Sequence, residues 1–176
     1  MGVWIDTDMG FDDIAAILVV VQSEFEIDGV SLVFGNTPLP QVRMNAAGAA
    51  SAFGWKFPIH TGRAMPVLGK LETAQAILGE TGIPTSGKSL PQAAALAESD
   101  AFAALCRWLE RKGQHRILAL GPLTNIAAVA LARPDLAATH PGEFGDTGCE
   151  VRACQCEGGE IGQRAESQDP VRAIGL

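Results

Sequence analysis

Residues 3–21 read VWIDTDMGFDDIAAILVVV and combine a strand, a polar turn and a helix. Val3 to Ile5 is a short apolar run, which is typical of a buried strand. From Asp12 to Val21 the apolar residues recur at helical spacing, and the first turn carries two acidic side chains, which the helix dipole favours. The stretch therefore predicts a strand that leads directly into a helix.

The same alternation continues along the chain. Further strands are predicted at residues 27–34, 57–59 and 116–120, further helices at 40–53, at 100–112 and from the 121–125 turn to about 133, and a long loop over 61–91. The predicted fold class is α/β, a Rossmann-like open parallel sheet with helices on both faces. In such sheets ligands bind at the carboxyl ends of the strands, where we expect the site.

The character of the sequence changes at about Ala138. Residues 139–176 show no apolar run, helical period or strand, and Gly, Glu, Gln and Cys dominate there. We therefore predict an α/β region over residues 1–138 and an atypical, poorly ordered tail over residues 139–176. A shifted reading frame, a truncated gene and a genuine extra segment would each produce such a tail.

The net charge of −7 argues against nucleic acid or an anionic membrane as a partner. The longest apolar stretch, Ile14 to Val21, is shorter than the roughly 20 residues that span a bilayer. No basic segment precedes an apolar one at the start of the chain. We therefore expect a cytoplasmic protein with reduced thiols.

Four aspartates fall within eight residues at the end of the first predicted strand: Asp6, Asp8, Asp12 and Asp13. The helix dipole accounts for one or two of them. Carboxylates this crowded repel one another unless one is protonated or a cation neutralises them. Gly10 is expected to let the turn fold back so that Asp8 and Asp13 converge, and hard carboxylate oxygens select Ca²⁺ or Mg²⁺. The cluster therefore predicts a metal site.

Two more turns follow predicted strands, Gly35-Asn36 and Leu120-Gly121-Pro122. Either turn alone is an ordinary connection between a strand and the next element. Together with the aspartate cluster they place three turns at the carboxyl edge of one sheet, which favours a ligand site there.

Three segments carry a resemblance to a known family: residues 6–13 (DTDMGFDD), residues 33–36 (VFGN) followed by 41–46 (QVRMNA), and residues 118–127 (LALGPLTNIA). In order and spacing they are similar to the inosine–uridine-preferring nucleoside hydrolases, and the first motif is highly specific to that family. The resemblance covers residues 3 to about 138.

The resemblance implies hydrolysis of the N-glycosidic bond of ribonucleosides to ribose and free base, with a Ca²⁺ ion that holds the attacking water and the ribose hydroxyls. By motif position, Asp8 would bind calcium and act as general base, and Asp13 would be a further calcium ligand. Asp12 would hold a ribose hydroxyl, Asn36 would line the ribose end of the pocket, and Leu120 would lend its backbone carbonyl to calcium. Family members are usually dimers or tetramers, so a homo-oligomer is expected.

The chain also departs from the family pattern. The family usually carries a histidine where Leu78 stands, and its later histidine–aspartate pair, which protonates the leaving base and completes the calcium shell, is not recognisable after residue 138. We therefore expect low or absent activity from this chain, and a catalytically inactive calcium-binding fragment is the alternative. The preferred base does not follow from the sequence.

A phosphatase of the haloacid dehalogenase type is an alternative from another class, because those enzymes also begin with an Asp-x-Asp strand end. They need a distant lysine and an acidic pair. The Asp12-Asp13 pair directly after Gly10 fits that pattern poorly.

The remaining candidates are weaker. Cys149, Cys154 and Cys156 are candidate zinc ligands. They lie five and two residues apart, and this spacing lacks the paired C-x-x-C pattern of zinc sites. We interpret His60 as structural and His115 as a surface or loop residue.

Overall fold

Strands and helices alternate along the chain. The computed structural model describes residues 2–83, 89–137 and 149–153, the last five as backbone only. The strands are β1 (Gly2–Thr7), β2 (Glu26–Leu32), β3 (Ile59–Thr61), β4 (His115–Ala119) and β5 (Cys149–Ala153). The helices are α1 (Phe11–Val21), α2 (Leu39–Phe53), α3 (Gln75–Leu78), α4 (Ala101–Leu109), α5 (Thr124–Ala132) and α6 (Pro134–Ala137). None of the helices in these ranges combines the length and the apolar character that a membrane span requires.

All the described strands form one parallel sheet in the order β3-β2-β1-β4-β5. The central strand is β1, which pairs with β2 on one side and β4 on the other. The ladder continues past the strand ends, because Val33 N–H donates to the Thr7 carbonyl at 3.0 Å and Leu120 N–H donates to the Asp6 carbonyl at 2.7 Å. These two bonds align the carboxyl ends of β2 and β4 with that of β1.

Two hydrophobic clusters hold the helices against the sheet, one on each face. One cluster joins α1 and α2 to the sheet and includes Ile5, Ile17 and Val42. The other joins α4 and α5 to the opposite face and includes Trp4 and Leu105. Trp4 and Ile5 are neighbours in β1 and serve opposite clusters, because successive side chains of a strand alternate between faces. The predicted α/β class, an open parallel sheet covered on both faces, is confirmed.

Local signals set two helix boundaries. Asp100, the predicted cap of α4, accepts a hydrogen bond from Phe102 N–H at 3.0 Å, which confirms that prediction. Pro40 lies in the first turn of α2, as predicted, and Gly54 follows the last turn with a left-handed φ of 67°.

Two predicted ranges shift. Strand β3 begins at Ile59 and not at residue 57, because Pro58 has no N–H to donate to the ladder. The carbonyl of Pro58 still accepts a hydrogen bond from Val30 N–H at 2.9 Å. The predicted loop over residues 61–91 contains the one-turn helix α3.

The strand β5 corrects the prediction that no strand follows residue 138. It pairs with β4 in parallel register, from His115 opposite Cys149 to Ala119 opposite Ala153. Its sequence, CEVRA, alternates apolar and charged residues. A search for a continuous apolar run does not find β5, because alternation is the pattern of a strand with one covered face. The rest of the predicted tail, with Cys154 and Cys156, lies outside the described residues, so the division at residue 138 stays a prediction.

Candidate functional site

The carboxyl ends of β1, β2 and β4 meet at one edge of the sheet. Asp8 follows β1, and its Oδ2 accepts a hydrogen bond from the backbone N–H of Asn36, beyond β2, at 2.6 Å. Leu120, after β4, is tied to Asp6 of β1 by its own N–H. The turn residues singled out in the sequence therefore lie around the end of β1. Their chemical roles stay predictions.

The turn between β1 and α1 brings the two predicted metal ligands together. Met9 N–H donates to Thr7 Oγ1 at 2.9 Å, and that hydroxyl donates to Asp13 Oδ2 at 2.7 Å. Asp13 Oδ2 also accepts the Gly10 N–H at 3.1 Å, so the carboxylate caps the start of α1. Asp13 is thus held by Thr7 and Gly10, two residues of the turn that carries Asp8.

The left-handed residue of this turn is Met9 and not Gly10, which corrects the expected reason for the glycine. Met9 has a φ of 55° and is fully buried, whereas Gly10 has an ordinary φ of −72°. Glycine is required at position 10 for space, because a Cβ there would overlap the Asn36 side-chain amide and lie 2.9 Å from Asp12 Oδ1. The side chains of Asp12 and Asn36 therefore approach each other over Gly10.

The carboxyl group of Asp8 is strongly perturbed. Burial raises its pKa to about 8, together with a hydrogen bond to the Asp13 carboxyl and the charges of Asp13 and Asp12, while the Asn36 N–H acts in the opposite direction. Two carboxyl groups in contact in a buried place hold a proton between them unless a cation takes its place. This is the arrangement that the aspartate cluster predicted.

A third aspartate, Asp6, lies beneath the site and is fully buried. Burial raises its pKa to about 6, against the lowering effect of hydrogen bonds from Ser31 and Asn125. Both donors meet Oδ1, and Oδ2 has no hydrogen-bond partner among the described residues. The sequence pattern predicts no separate role for Asp6.

Two glycines make room for Asp8. A Cβ at Gly35 would overlap the Asp8 carboxylate, and a Cβ at Gly121 would lie 2.8 Å from the Asp8 backbone nitrogen. From the sequence, Gly35 and Gly121 are predicted only as turn residues. The structure shows that their lack of a side chain lets the turns after β2 and β4 approach the end of β1.

The donor set near Asp8 fits a calcium site only in part. Asp8 and Asp13 supply adjacent carboxylates, and Leu120 lies at the end of the neighbouring strand. Ca²⁺ takes six to eight oxygen ligands. Within the described ranges no group of three or more His, Cys, Asp and Glu side chains is arranged to hold a metal ion. The described residues therefore supply part of a shell whose other oxygens would come from elsewhere.

Sequence reasoning missed Asn125, which is buried and makes three hydrogen bonds beneath the site. The available signal was an amide side chain at the start of an otherwise apolar helix. It also missed Asn45, on α2, whose amide donates to the carbonyl of Thr81 at 2.9 Å and lies 3.5 Å from that of Met9.

Two histidines lie away from the site. His60 stacks on Trp4, with ring centroids 5.5 Å apart, and its Nδ1 lies 2.6 Å from Ser99 Oγ, which fits the structural interpretation. The surface interpretation of His115 is wrong. This residue is buried in β4, where its Nε2 lies 2.9 Å from the Trp108 carbonyl oxygen.

Known proteins are similar to this chain over most of its length. A family model described as inosine-uridine preferring nucleoside hydrolase matches residues 3–142. Uridine nucleosidase 1 of Arabidopsis thaliana is 35% identical over 133 residues, which cover 70% of this chain and 38% of that protein. The non-specific ribonucleoside hydrolase RihC of Salmonella agona is 28% identical over 160 residues, which cover 90% of this chain and 49% of that protein. A plant nucleoside hydrolase of known structure, the PpNRh1 enzyme, is 26% identical with a TM-score of 0.70, covering 86% of this chain and 46% of that one.

The chain spans between 38% and 49% of the length of the curated relatives that it matches. The similarity to the Salmonella protein covers 90% of the 176 residues and therefore runs beyond residue 138. The family model covers well over half of the chain. The chain belongs to the inosine-uridine preferring nucleoside hydrolase family.

Proposed function

We propose that this protein hydrolyses the N-glycosidic bond of ribonucleosides to ribose and free base, at a calcium site that includes Asp8 and Asp13. The observation that carries the proposal is the contact between these two buried carboxyl groups at the carboxyl edge of the sheet. A buried carboxyl pair is costly to maintain without a proton or a cation. Its place beside the turns after β2 and β4 is where ligands bind in open parallel sheets.

The residues divide between metal and sugar. Asp8 and Asp13 would bind calcium through their carboxylates, and Leu120 through its backbone carbonyl. Asp12, which is exposed at the start of α1, and Asn36 would bind the ribose hydroxyls over Gly10. A bound calcium ion would supply the positive charge that lowers the pKa of the attacking water.

Asp8 is placed to act as the general base. Its Oδ2 is oriented by the Asn36 N–H at 2.6 Å. In the reaction Asp8 would take a proton from water, the water oxygen would bond to the anomeric carbon, and the bond to the nucleobase would break. The electron pair of the broken bond would leave on the base nitrogen, which would take its proton from solvent water.

The substrate class rests on the family and on its named relatives, which include a uridine nucleosidase and a non-specific ribonucleoside hydrolase. We propose ribonucleosides as substrates and infer no preference for one base. The residues that would distinguish bases are not identified among those at the sheet edge.

A second candidate function is that of a catalytically inactive calcium-binding fragment. The observation that favours it is the partial donor set, since the described residues offer two adjacent carboxylates and no third acidic or imidazole group arranged with them. Such a chain would bind calcium weakly and release no ribose.

Ribose release from inosine and from uridine, with Ca²⁺ and with a chelator, separates the two candidates. Asp8→Asn should lower the rate by about 10²–10⁴-fold, the range in which a positioned general base contributes. Asp135→Asn is the matched control, because Asp135 is an exposed aspartate paired with Arg133 and should leave the rate unchanged. Ca²⁺ binding by titration calorimetry without ribose release would support the inactive fragment. Absence of both would contradict both candidates.

A further inference from the structure

A single buried amide beneath the site joins the ends of three strands. Asn125 lies in the first turn of α5, immediately after β4, and its side chain is directed into the sheet edge. We propose that Asn125 is a positioning residue that sets the places of Asp8 and Asn36. The roles of Asp8 and Asn36 in this proposal rest on the proposed function. The contacts that hold the two residues do not depend on it.

The amide of Asn125 is bonded on both sides. Its Nδ2 donates to Asp6 Oδ1 at 2.8 Å and to the Leu32 carbonyl at 3.1 Å. Its Oδ1 accepts the N–H of Arg63 at 2.8 Å. Asp6 belongs to β1, Leu32 ends β2, and Arg63 follows β3, so a residue anchored after β4 contacts the ends of β1, β2 and β3.

Two short paths lead from Asn125 to the site. Along β1, Asp6 precedes Asp8 by two residues. Along β2, the carbonyl of Arg63 accepts the Phe34 N–H at 3.1 Å, and Phe34 precedes Asn36 by two residues. The paths meet where the Asn36 N–H donates to the Asp8 carboxylate at 2.6 Å. A displacement of the amide would therefore move both partners of that hydrogen bond.

The surroundings admit an amide and little else. A Cβ at Gly62 would overlap the Leu32 carbonyl oxygen and both polar atoms of the Asn125 amide, so the chain carries no side chain there. An apolar residue at position 125 would leave buried polar groups on three segments without this partner, which is costly inside a protein. An aspartate would keep the acceptor for Arg63, but it would place a second carboxyl group against Asp6, so the two groups would share a proton and the two amide donors to Asp6 and Leu32 could not both be replaced.

The test compares Asn125→Ala and Asn125→Asp with wild type in the full chain, by amide exchange and ¹⁵N–¹H chemical shifts. In Asn125→Ala we expect exchange at Arg63, Phe34 and Asn36 to accelerate about tenfold, since the variant removes internal hydrogen bonds and leaves their buried partners unpaired. The amide of Ile17, in the buried face of α1, should accelerate much less. In Asn125→Asp the Arg63 amide should keep its protection, while the Asn36 signal still shifts.

Ser31→Ala is the matched control. Ser31 is as deeply buried and also donates to Asp6, but the other hydrogen bond of its hydroxyl is with the Trp4 indole and not with the Arg63 backbone. It should leave the exchange of Arg63 and Asn36 within about twofold of wild type, because the bonds of Asn125 remain. Because Asn125→Asp retains the side-chain volume, it carries the test if Asn125→Ala does not fold.

Calorimetric titration with Ca²⁺ alone adds a second measurement. Loss of the direct hydrogen-bond partner of a metal ligand typically weakens binding about 10- to 100-fold. Asn125 acts one step further out, through Asp6 and Arg63, so we expect a loss of up to about tenfold for Asn125→Ala. An unshifted Asn36 signal in a folded Asn125 variant, or equal acceleration at Ile17, would overturn the positioning role. A wild-type chain that does not bind Ca²⁺ would contradict the proposed metal site, while the amide signals would still decide the role of Asn125.

Discussion

Asp8 and Asp13 lie against each other in a place that is poorly suited to two negative charges. Burial is the largest cause of the raised pKa of Asp8, followed by its contacts with Asp13. The hydroxyl of Thr7 and the N–H of Gly10 both donate to Asp13 Oδ2. A bound cation would take the place of the proton that the raised pKa of Asp8 favours.

This arrangement makes stability depend on pH. The folded chain holds protons on Asp8 and Asp6, with pKa values of about 8 and about 6, whereas the ordinary pKa of an aspartate in the unfolded chain is 3.8. The folded state binds more protons between these limits, so the free energy of unfolding should fall as pH rises from about 4 to about 8. Urea midpoints measured in a chelator at pH 5, 6.5 and 8 would show it. Asp8→Asn should flatten the part of the decline above pH 6, and a rising wild-type midpoint would contradict the prediction.

Gly35 offers a test that leaves every acidic side chain in place. In Gly35→Ala the new methyl group would occupy the position of the Asp8 carboxylate, so we expect Ca²⁺ affinity to fall about tenfold and stability by about 1–3 kcal/mol, as for overpacking. Gly48→Ala, on α2 and remote from Asp8, makes the same covalent change and should leave the affinity unchanged. Calorimetry and urea unfolding measure the two effects. Wild-type affinity in Gly35→Ala would show that the Asp8 carboxylate is not a ligand.

At the level of elements, the site exists because each strand passes into a turn at the same edge. The parallel register of β1 with β2 and β4 brings the three turns level, and helices leave that edge on both faces. Helix starts are the part of this arrangement that local sequence controls most directly. Asp13 caps α1 from inside the site, whereas Asp100 caps α4 away from it.

The cap of α4 can be tested by itself. Asp100→Ala removes the acceptor for the Phe102 N–H and should lower the free energy of unfolding by about 1 kcal/mol. Asp100→Asn keeps an acceptor in the same place and should lose only a few tenths of that. Urea unfolding of the two variants gives the comparison. An equal loss in both would mean that charge, and not capping, is the contribution of Asp100.

For the whole molecule, calcium binding and folding should be linked. A ligand that binds only the folded state at 100 times its dissociation constant stabilises that state by about 2.7 kcal/mol. For a chain of this size that corresponds to a rise in Tm of about 5–11 °C. We expect this rise with Ca²⁺ in wild type and its loss in Asp13→Asn, by calorimetric or fluorescence melting. Asp135→Asn should behave as wild type, and a Ca²⁺-independent Tm in wild type would count against the metal site.

The fold class, the order of the elements and the turns of the candidate site could be predicted from local sequence. Apolar spacing marks α1 and α4, the Asp100 cap and Pro40 mark helix starts, and Asp6 to Asp13 stands out as too acidic for a helix start alone. These features are local, because each depends on residues within a few positions of one another. The motif resemblance added the family, which the comparison with known proteins bears out.

Only the tertiary structure decided which residues are brought together across the sheet. Asn125 accepts a hydrogen bond from Arg63, and Gly35 leaves the space that the Asp8 carboxylate occupies. His115 is buried by residues that are distant from it in sequence. The left-handed residue at Met9 and the strand β5 escaped sequence reasoning for the same reason. Whether a backbone is strained, or a short alternating segment pairs as a strand, depends on neighbours that sequence spacing does not contain.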